Sequence, residues 1–245
     1  MPLQEEMEKQ GNFLFKYRGQ LPVIILISAL IVFAIEIKNT SIPSSYIYIC
    51  FSVSIFGLLF RIYTVGHTPK NTSGRNTQEQ IADEVNTTGI YSTVRHPLYV
   101  GNFFMWLGAA MLTYNFWFIL FFITFYWIYY ERIMFAEEQF LRKKFDQRYF
   151  DWAKQTPAFI PDFQKFIKPK YPFSLKKVIM KEVNGLLNIF IVFCLFDIAG
   201  YYILNNKFGI GNYFWIIGLI SSLSAYIILK IISKSTSLLN DPGRI

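Results

Sequence analysis

The chain has 245 residues and a formal net charge of +8, and 53% of its residues are hydrophobic and 19% aromatic. A soluble domain of this size carries fewer apolar residues, so the composition indicates a membrane protein. The basic residues lie between apolar runs and no nucleic-acid-binding motif accompanies them. We therefore expect membrane and lipid partners and no nucleic acid.

Six apolar runs predict membrane-spanning helices, although the third reaches the required length only if its helix begins at Pro97. They lie at about Leu21–Ile37, Tyr46–Val65, Val100–Met111, Phe116–Phe135, Val183–Leu204 and Tyr213–Ile232. The predicted fold is an all-α integral membrane protein of about six spans with a cytoplasmic amphipathic helix. Residues 1–45 form an N-terminal anchor, residues 46–165 a core, and residues 166–245 a linker and a C-terminal hairpin.

Lysine and arginine residues predict the orientation of these spans. They are concentrated in the segment Arg132–Lys181, whereas the loops after the first and fifth spans hold only Lys38 and Lys207. By the positive-inside rule, both termini and the basic segment lie in the cytoplasm. The N-terminus has no basic region followed by a cleavage site, so we expect no signal peptide and a first span that is retained as an anchor. The expected location is a bacterial-type inner membrane.

Two polar segments lie within the predicted core. Between the second and third spans, residues 72–74 predict a turn and residues 77–85 a short interfacial helix. This connection is either a solvated loop or a lid that leads to Tyr91 and His96. After the fourth span, Ala136–Lys154 has the pattern of an amphipathic helix lying along the lipid headgroups.

The segment Gly89–Asn102, GIYSTVRHPLYVGN, combines basic, aromatic and helix-starting residues. Proline is favoured at the first position of a helix, where its missing N–H costs nothing. The free N–H groups of that first turn attract anions. Arg95 and His96 precede this turn and Tyr99 lies within it. The segment therefore predicts a binding site for a small charged cofactor.

Three glutamates follow at the end of the fourth span: Glu131, Glu137 and Glu138. Glu131 fits a charged helix end at the membrane boundary. Adjacent helical positions diverge by about 100°, so only one of Glu137 and Glu138 can face the site. We expect that one to accept hydrogen bonds from the cofactor and the other to pair with the basic surface.

No metal site or disulfide is predicted. The two histidines, His67 and His96, have no second ligand near them in the sequence, and Cys50 and Cys194 lie in apolar spans. Buried cysteines of this kind behave as small hydrophobes.

Residues 95–101 (RHPLYVG), Glu137-Glu138, and Phe145, Tyr149, Pro157 and Pro161 together resemble the isoprenylcysteine carboxyl methyltransferase and phospholipid methyltransferase superfamily. The resemblance covers roughly residues 50–162. Members of this superfamily are membrane-embedded enzymes that use S-adenosyl-L-methionine. The resemblance implies cofactor contacts at Val85, Asn86, Tyr91, His96, Pro97, Leu98, Tyr99 and Glu137.

One departure from the family pattern concerns the methyl acceptor. The resemblance to prenylcysteine methyltransferases implies an arginine four positions before the cofactor glutamate, where this chain has Ile133 beside Arg132. We expect Arg132 to bind the acceptor anion, or the substrate to be other than a prenylcysteine. His96 is the other catalytic candidate, since an amine acceptor would need a route for proton loss. The expected acceptor is an anionic lipid headgroup, such as the phosphate of lipid A.

Four further interpretations stay open at this point. The acceptor is a prenylcysteine carboxylate, or it is a phospholipid amine. Membrane sterol and acyl reductases that use NADPH share a similar tract, although Glu or Trp often follows the glycine where this chain has Asn102. A non-enzymatic scaffold with a lipid-binding basic surface leaves the Arg95–Gly101 tract unexplained.

Overall fold

Seven α-helices make up most of the protein. The computed structural model describes residues 2–72 and 80–244, and within these residues it contains no β-strand. The helices are α1 (Leu3–Tyr17), α2 (Leu21–Asn39), α3 (Ser44–Gly66), α4 (Pro97–Met111), α5 (Phe116–Gln155), α6 (Leu175–Asn205) and α7 (Tyr213–Ser235). Short 3-10 turns occur at Ile90–Ser92 and Phe163–Lys165.

Five of these helices, α2, α3, α5, α6 and α7, are long and apolar enough to cross a membrane. The prediction of an all-α integral membrane protein is confirmed. α4 has 15 residues, which span only about 22 Å at 1.5 Å per residue. This is shorter than the hydrocarbon core of a bilayer, so five helices rather than about six satisfy the criterion for a span.

Glycines allow α3 and α4 to pack closely. A Cβ atom at Gly57 would overlap the carbonyl oxygen of Gly101, and one at Gly108 would overlap Ser54. Small residues at such contacts let helix backbones approach within a membrane, where close packing replaces the hydrophobic effect as the source of attraction. The position of α4, and of the residues at its start, therefore depends on these glycines.

The N-terminal helix α1 was not predicted from the sequence. It packs along α5, where a Cβ at Gly11 would overlap the carbonyl oxygen of Arg132. The hydroxyl of Tyr129 donates a hydrogen bond to the carbonyl of Leu14 at 3.1 Å. Residues 1–45 thus contain a packed helix in addition to the predicted anchor span.

The predicted amphipathic helix over Ala136–Lys154 is the second half of α5 and not a separate element. The helix is kinked at Asp146, whose φ of 41° and ψ of −126° are not helical. The kink lies inside the predicted amphipathic segment, with Lys143 and Lys144 before it and Arg148 and Lys154 after it. The side chain of Asn115 starts α5 by accepting a hydrogen bond from the N–H of Phe118 at 2.8 Å.

The connection between α3 and α4 is irregular where it is described. Residues 80–85 are not helical, so the predicted interfacial helix is absent there, whereas residues 77–79 and most of the predicted turn at 72–74 lie outside the described residues. Lys177 of α6 donates to the carbonyls of Thr68 and Pro69, each at 2.8 Å. Arg244 donates to the carbonyl of Gly66 at 2.6 Å. These cations hold the end of α3 against the start of α6.

Candidate active site

The segment that precedes α4 is held in place by the chain that follows α5. The N–H of Arg95 donates to the carbonyl of Pro157 at 2.8 Å, and that of His96 to the carbonyl of Ala158 at 3.2 Å. Gly89, at a φ of 64°, forms an isolated bridge with Ile167. The tail with its two prolines therefore fixes where α4 begins, and Pro97 is its first residue.

His96 lies between the two adjacent glutamates of α5. Its Nδ1 is 3.5 Å from Glu137 and its Nε2 is 3.1 Å from Glu138, and the residue is 7% exposed. Burial opposes a charge on the ring, yet the hydrogen bonds to Glu137 and Glu138 outweigh it and raise the pKa of His96 above its usual value. The imidazole is therefore held towards its protonated form.

The two glutamates have different surroundings. The Tyr99 hydroxyl donates to Glu137 at 2.5 Å, and Arg18, directly after α1, lies 3.8 Å from the same carboxylate. Glu138 is buried and forms an ion pair with Arg95, whose Nε is 2.9 Å away. Glu137 faces a cavity, whereas Glu138 fixes the orientation of His96 and Arg95.

A cavity of about 810 Å³ lies between the connection at residues 80–86, the starts of α4 and α6, and the inner faces of α3 and α5. Its wall includes every residue for which a cofactor contact was predicted. These are Val85, Asn86, Tyr91, His96, Pro97, Leu98, Tyr99 and Glu137. Burial, followed by the nearby Glu137, raises the pKa of Tyr91, so its hydroxyl stays a neutral hydrogen-bonding group.

The structure does not bring Arg132 to this cavity. Its guanidinium lies 3.8 Å from the carboxylate of Glu131, and the residue is absent from the cavity wall. The backbone carbonyl of Arg132 lies against Gly11, so this part of α5 packs against α1. The role predicted for Arg132 in binding the acceptor anion has no support in this geometry.

A polar cluster lines the inner part of the cavity. Arg61 of α3 donates to both carboxylate oxygens of Glu182, at 2.9 and 2.7 Å, and to the side chain of Asn102 at 2.8 Å. All three residues border the cavity. Ionisable groups inside a membrane are costly and usually mark a functional path, so this cluster belongs with the candidate site.

Positive charge prevails in the cavity wall. Among the described residues, seven arginine and lysine side chains border the cavity against three glutamates. The arginines are Arg18, Arg61, Arg95 and Arg244, and the lysines are Lys70, Lys177 and Lys181. A cleft lined by one sign of charge with low-dielectric walls favours a ligand of the opposite sign.

Residues 45–148 match the family model described as phospholipid methyltransferase. The Protein-S-isoprenylcysteine O-methyltransferase of Schizosaccharomyces pombe is 34% identical over 139 residues, which cover 53% of this chain and 58% of that protein. The nickel-cobalt-cadmium resistance protein NccN of Alcaligenes xylosoxydans xylosoxydans is 33% identical over 94 residues, 38% of this chain and 41% of that protein. No solved structure matches the chain.

These matches show that the matched part of the chain is similar to methyltransferases. In particular, they confirm the resemblance to the isoprenylcysteine carboxyl methyltransferase and phospholipid methyltransferase superfamily. The chain spans about half the length of the curated relatives it matches. The family match contains all the predicted cofactor residues and leaves out α1, α2, α6 and α7.

Sequence reasoning missed most of the charged residues of the cavity wall, among them Arg18, Arg61 and Glu182. A signal existed for Arg61, since a charge within the apolar run Tyr46–Val65 is itself a reason to expect a functional or paired residue. No such signal existed for Arg18, because its place at the site depends on how α1 packs against α5.

Proposed function

We propose that this protein transfers the methyl group of S-adenosyl-L-methionine to an oxygen of an anionic, lipid-borne acceptor. One observation carries the proposal. His96, Tyr99 and Glu137 converge on a cavity that runs from the polar loops to the inner faces of helices α3 and α6. A cavity of about 810 Å³ is within the usual range for small-molecule and cofactor sites.

The polar end of this cavity suits the cofactor. Glu137 accepts hydrogen bonds and can receive them from ribose hydroxyls or from the cofactor's ammonium group, with Arg18 and Tyr99 fixing its carboxylate. The N–H groups at the start of α4 favour the cofactor's carboxylate. The aromatic rings of Tyr91 and Tyr99 supply faces that attract a positive sulfur.

An ionised oxygen fits this site better than an amine as the methyl acceptor. The cofactor supplies an activated methyl group, so an anionic oxygen needs only correct placement and exclusion of water. An amine must also lose a proton, and His96 is held towards its protonated form between Glu137 and Glu138. The excess of cations in the cavity wall likewise favours an anion. A lipid phosphate, such as that of lipid A, is the acceptor we propose, with Arg61 and Arg18 in place of Arg132 as the nearby guanidinium groups.

The cofactor proposal is tested by isothermal titration of the purified full-length chain. We expect S-adenosylhomocysteine to bind with a micromolar dissociation constant, equivalent to about −8 kcal/mol. NADPH should release no heat. Binding of NADPH without binding of S-adenosylhomocysteine would replace this proposal with the membrane reductase.

The acceptor proposal is tested with radiolabelled S-adenosyl-L-methionine and membranes that contain the protein. We expect label in the lipid extract that survives protease. Label that mild base releases as methanol from a prenylcysteine substrate, or label confined to protein, would contradict a lipid phosphate acceptor.

A further inference from the structure

One face of α6 is polar although the helix is apolar on both sides of it. Asn184 and Asn188 lie one turn apart and both border the cavity. Asn188 is exposed there, within the sequence Leu186-Leu187-Asn188-Ile189-Phe190. No hydrogen bond to either amide side chain occurs within residues 2–72 and 80–244. An unpaired amide in the middle of an apolar span costs free energy unless a ligand or water satisfies it.

The same face changes character along the helix. Lys181 and Glu182 border the cavity near the start of α6, Asn184 and Asn188 follow, and Ile189 and Val192 come next. Lys181 and Asn188 are seven positions apart, which is about 10 Å along the axis. The wall is therefore charged at one end, hydrogen-bonding in the middle and apolar beyond it.

This order matches an acylated lipid more closely than a prenylated one. In an acylated lipid, ester or amide carbonyls lie between the headgroup and the hydrocarbon chains. A prenyl thioether offers no comparable acceptor below its headgroup. The amide N–H groups of Asn184 and Asn188 are suitable donors to such carbonyls.

We propose that α6 forms the acceptor-binding wall of the cavity, in which Asn184 and Asn188 donate hydrogen bonds to the acyl-linkage carbonyls of an anionic lipid. This proposal rests on the proposed function, since it names the class of its acceptor. The headgroup lies beside Arg61. The guanidinium of Arg61 is held in place by two hydrogen bonds that it donates to Glu182 and one that it donates to Asn102. Because α6 lies outside the matched residues 45–148, the C-terminal hairpin selects the acceptor while the matched part binds the cofactor.

The test compares two forms of phosphatidic acid, one with ester-linked acyl chains and one with ether-linked alkyl chains. Only the ester form has the carbonyls. Native mass spectrometry of the full-length protein released from detergent micelles measures the retention of each lipid. We expect the wild type to retain the ester form about 25-fold better than the ether form, the size of two net hydrogen bonds. Asn188→Leu and Asn184→Leu should each lower the ratio to about fivefold.

Asn205→Leu is the matched control, since Asn205 lies at the far end of α6, does not border the cavity and donates to the carbonyl of Tyr201. It should keep the wild-type ratio. Equal retention of the two lipids by the wild type, no retention of either, or an unchanged ratio in Asn188→Leu would each overturn the proposal. Titration with S-adenosylhomocysteine on the same samples checks that the variants are folded. If the wild type does not bind S-adenosylhomocysteine, the proposed function is contradicted. The ratio of ester to ether lipid still tests the acceptor-binding wall in that case.

Discussion

His96 shows how neighbouring residues decide the chemistry of a single side chain. A histidine alone titrates near neutral pH and can accept or donate a proton. Here, Glu137 contacts one ring nitrogen and Glu138 the other, so the protonated ring is favoured. The consequence is a fixed hydrogen-bond donor to both glutamates, which orients the carboxylate of Glu137 towards the cavity.

The two glutamates should differ in their effect on cofactor binding. Glu137→Gln removes the carboxylate that faces the cavity, and we expect the dissociation constant of S-adenosylhomocysteine to rise about tenfold, as for a lost charge-assisted hydrogen bond. Glu138→Gln should raise it less, because Glu138 points to Arg95 and His96. Isothermal titration measures both. Glu131→Gln is the control. Glu131 lies on the same helix but pairs with Arg132 and does not border the cavity, so this variant should bind as the wild type does. Equal losses from Glu137→Gln and Glu138→Gln would show that both carboxylates serve the cofactor.

The raised pKa of His96 also predicts a pH dependence of stability. A group whose pKa is higher in the folded state stabilises that state fully below its unfolded pKa, near 6.5 for histidine, and loses this contribution as the pH rises through the folded pKa. We therefore expect the Tm of the wild type to exceed that of His96→Asn most at about pH 6, with the difference shrinking towards alkaline pH. Thermal unfolding in detergent at a series of pH values measures it. A difference that stays constant with pH would mean that His96 is neutral in the folded protein.

At the scale of residues, the sequence predicts those parts of the site that are contiguous or regularly spaced. Residues 95–99 border the cavity together because they lie at the start of one helix. Arg61 and Glu182 are separated by 121 positions and meet only because α3 packs against α6. No local pattern encodes such a pair, and the same holds for the contact of Arg18 with Glu137.

Among the elements, helix α1 escaped prediction for a physical reason. It contains Gly11, which lowers helix propensity by about 1 kcal/mol relative to alanine and argues against a helix when the segment is considered alone. The glycine is explained by packing, since α5 lies against it. By contrast, the bounds of α2, α3 and α7 follow their apolar runs closely. The thickness of the bilayer sets the length of a span, and the apolar run in the sequence shows where it lies.

The close contact of α3 with α4 predicts the effect of a small change at a glycine. Gly57→Ala places a Cβ atom against the backbone of Gly101 and Met105, which cannot move without shifting α4. We expect the free energy of unfolding to fall by about 1–3 kcal/mol, as for other overpacked sites. Thermal unfolding in detergent is the measurement. Gly19→Ala is the matched control, because a Cβ there meets no atom within 4 Å. Similar stability of the two variants would mean that α3 and α4 are not packed through Gly57.

For the molecule as a whole, two groups of helix ends define two opposite sides. On one side, the N–H of Ser174 donates to the carbonyl of Gly66, and Arg95 is held by Pro157. On the other side, the side chain of Asn115 donates to Glu36 at 2.5 Å, and that of Asn212 to the hydroxyl of Tyr48 at 2.9 Å. The candidate site lies at the first side, which also carries most of the basic residues.

Because the basic residues lie mainly on one side of the molecule, their distribution predicts its orientation in the membrane. Basic loops remain in the cytoplasm, so the side with Lys170 should be cytoplasmic and the side with Lys38 and Lys207 should face outwards. Each of these lysines is exposed. Single cysteines at Lys38 or Lys207 should therefore react with an impermeant thiol reagent in intact cells, whereas a cysteine at Lys170 should react only after the membrane is opened.

The two native cysteines make this labelling clean, because Cys50 and Cys194 are both buried. The unmodified chain is the control and should take up little reagent. The orientation also bears on function, since S-adenosyl-L-methionine is made and used inside the cell, so a site on the outer side would have no access to it. Labelling at Lys170 in intact cells would reverse the orientation, and it would remove the cytoplasmic cofactor supply on which the proposed methyl transfer depends.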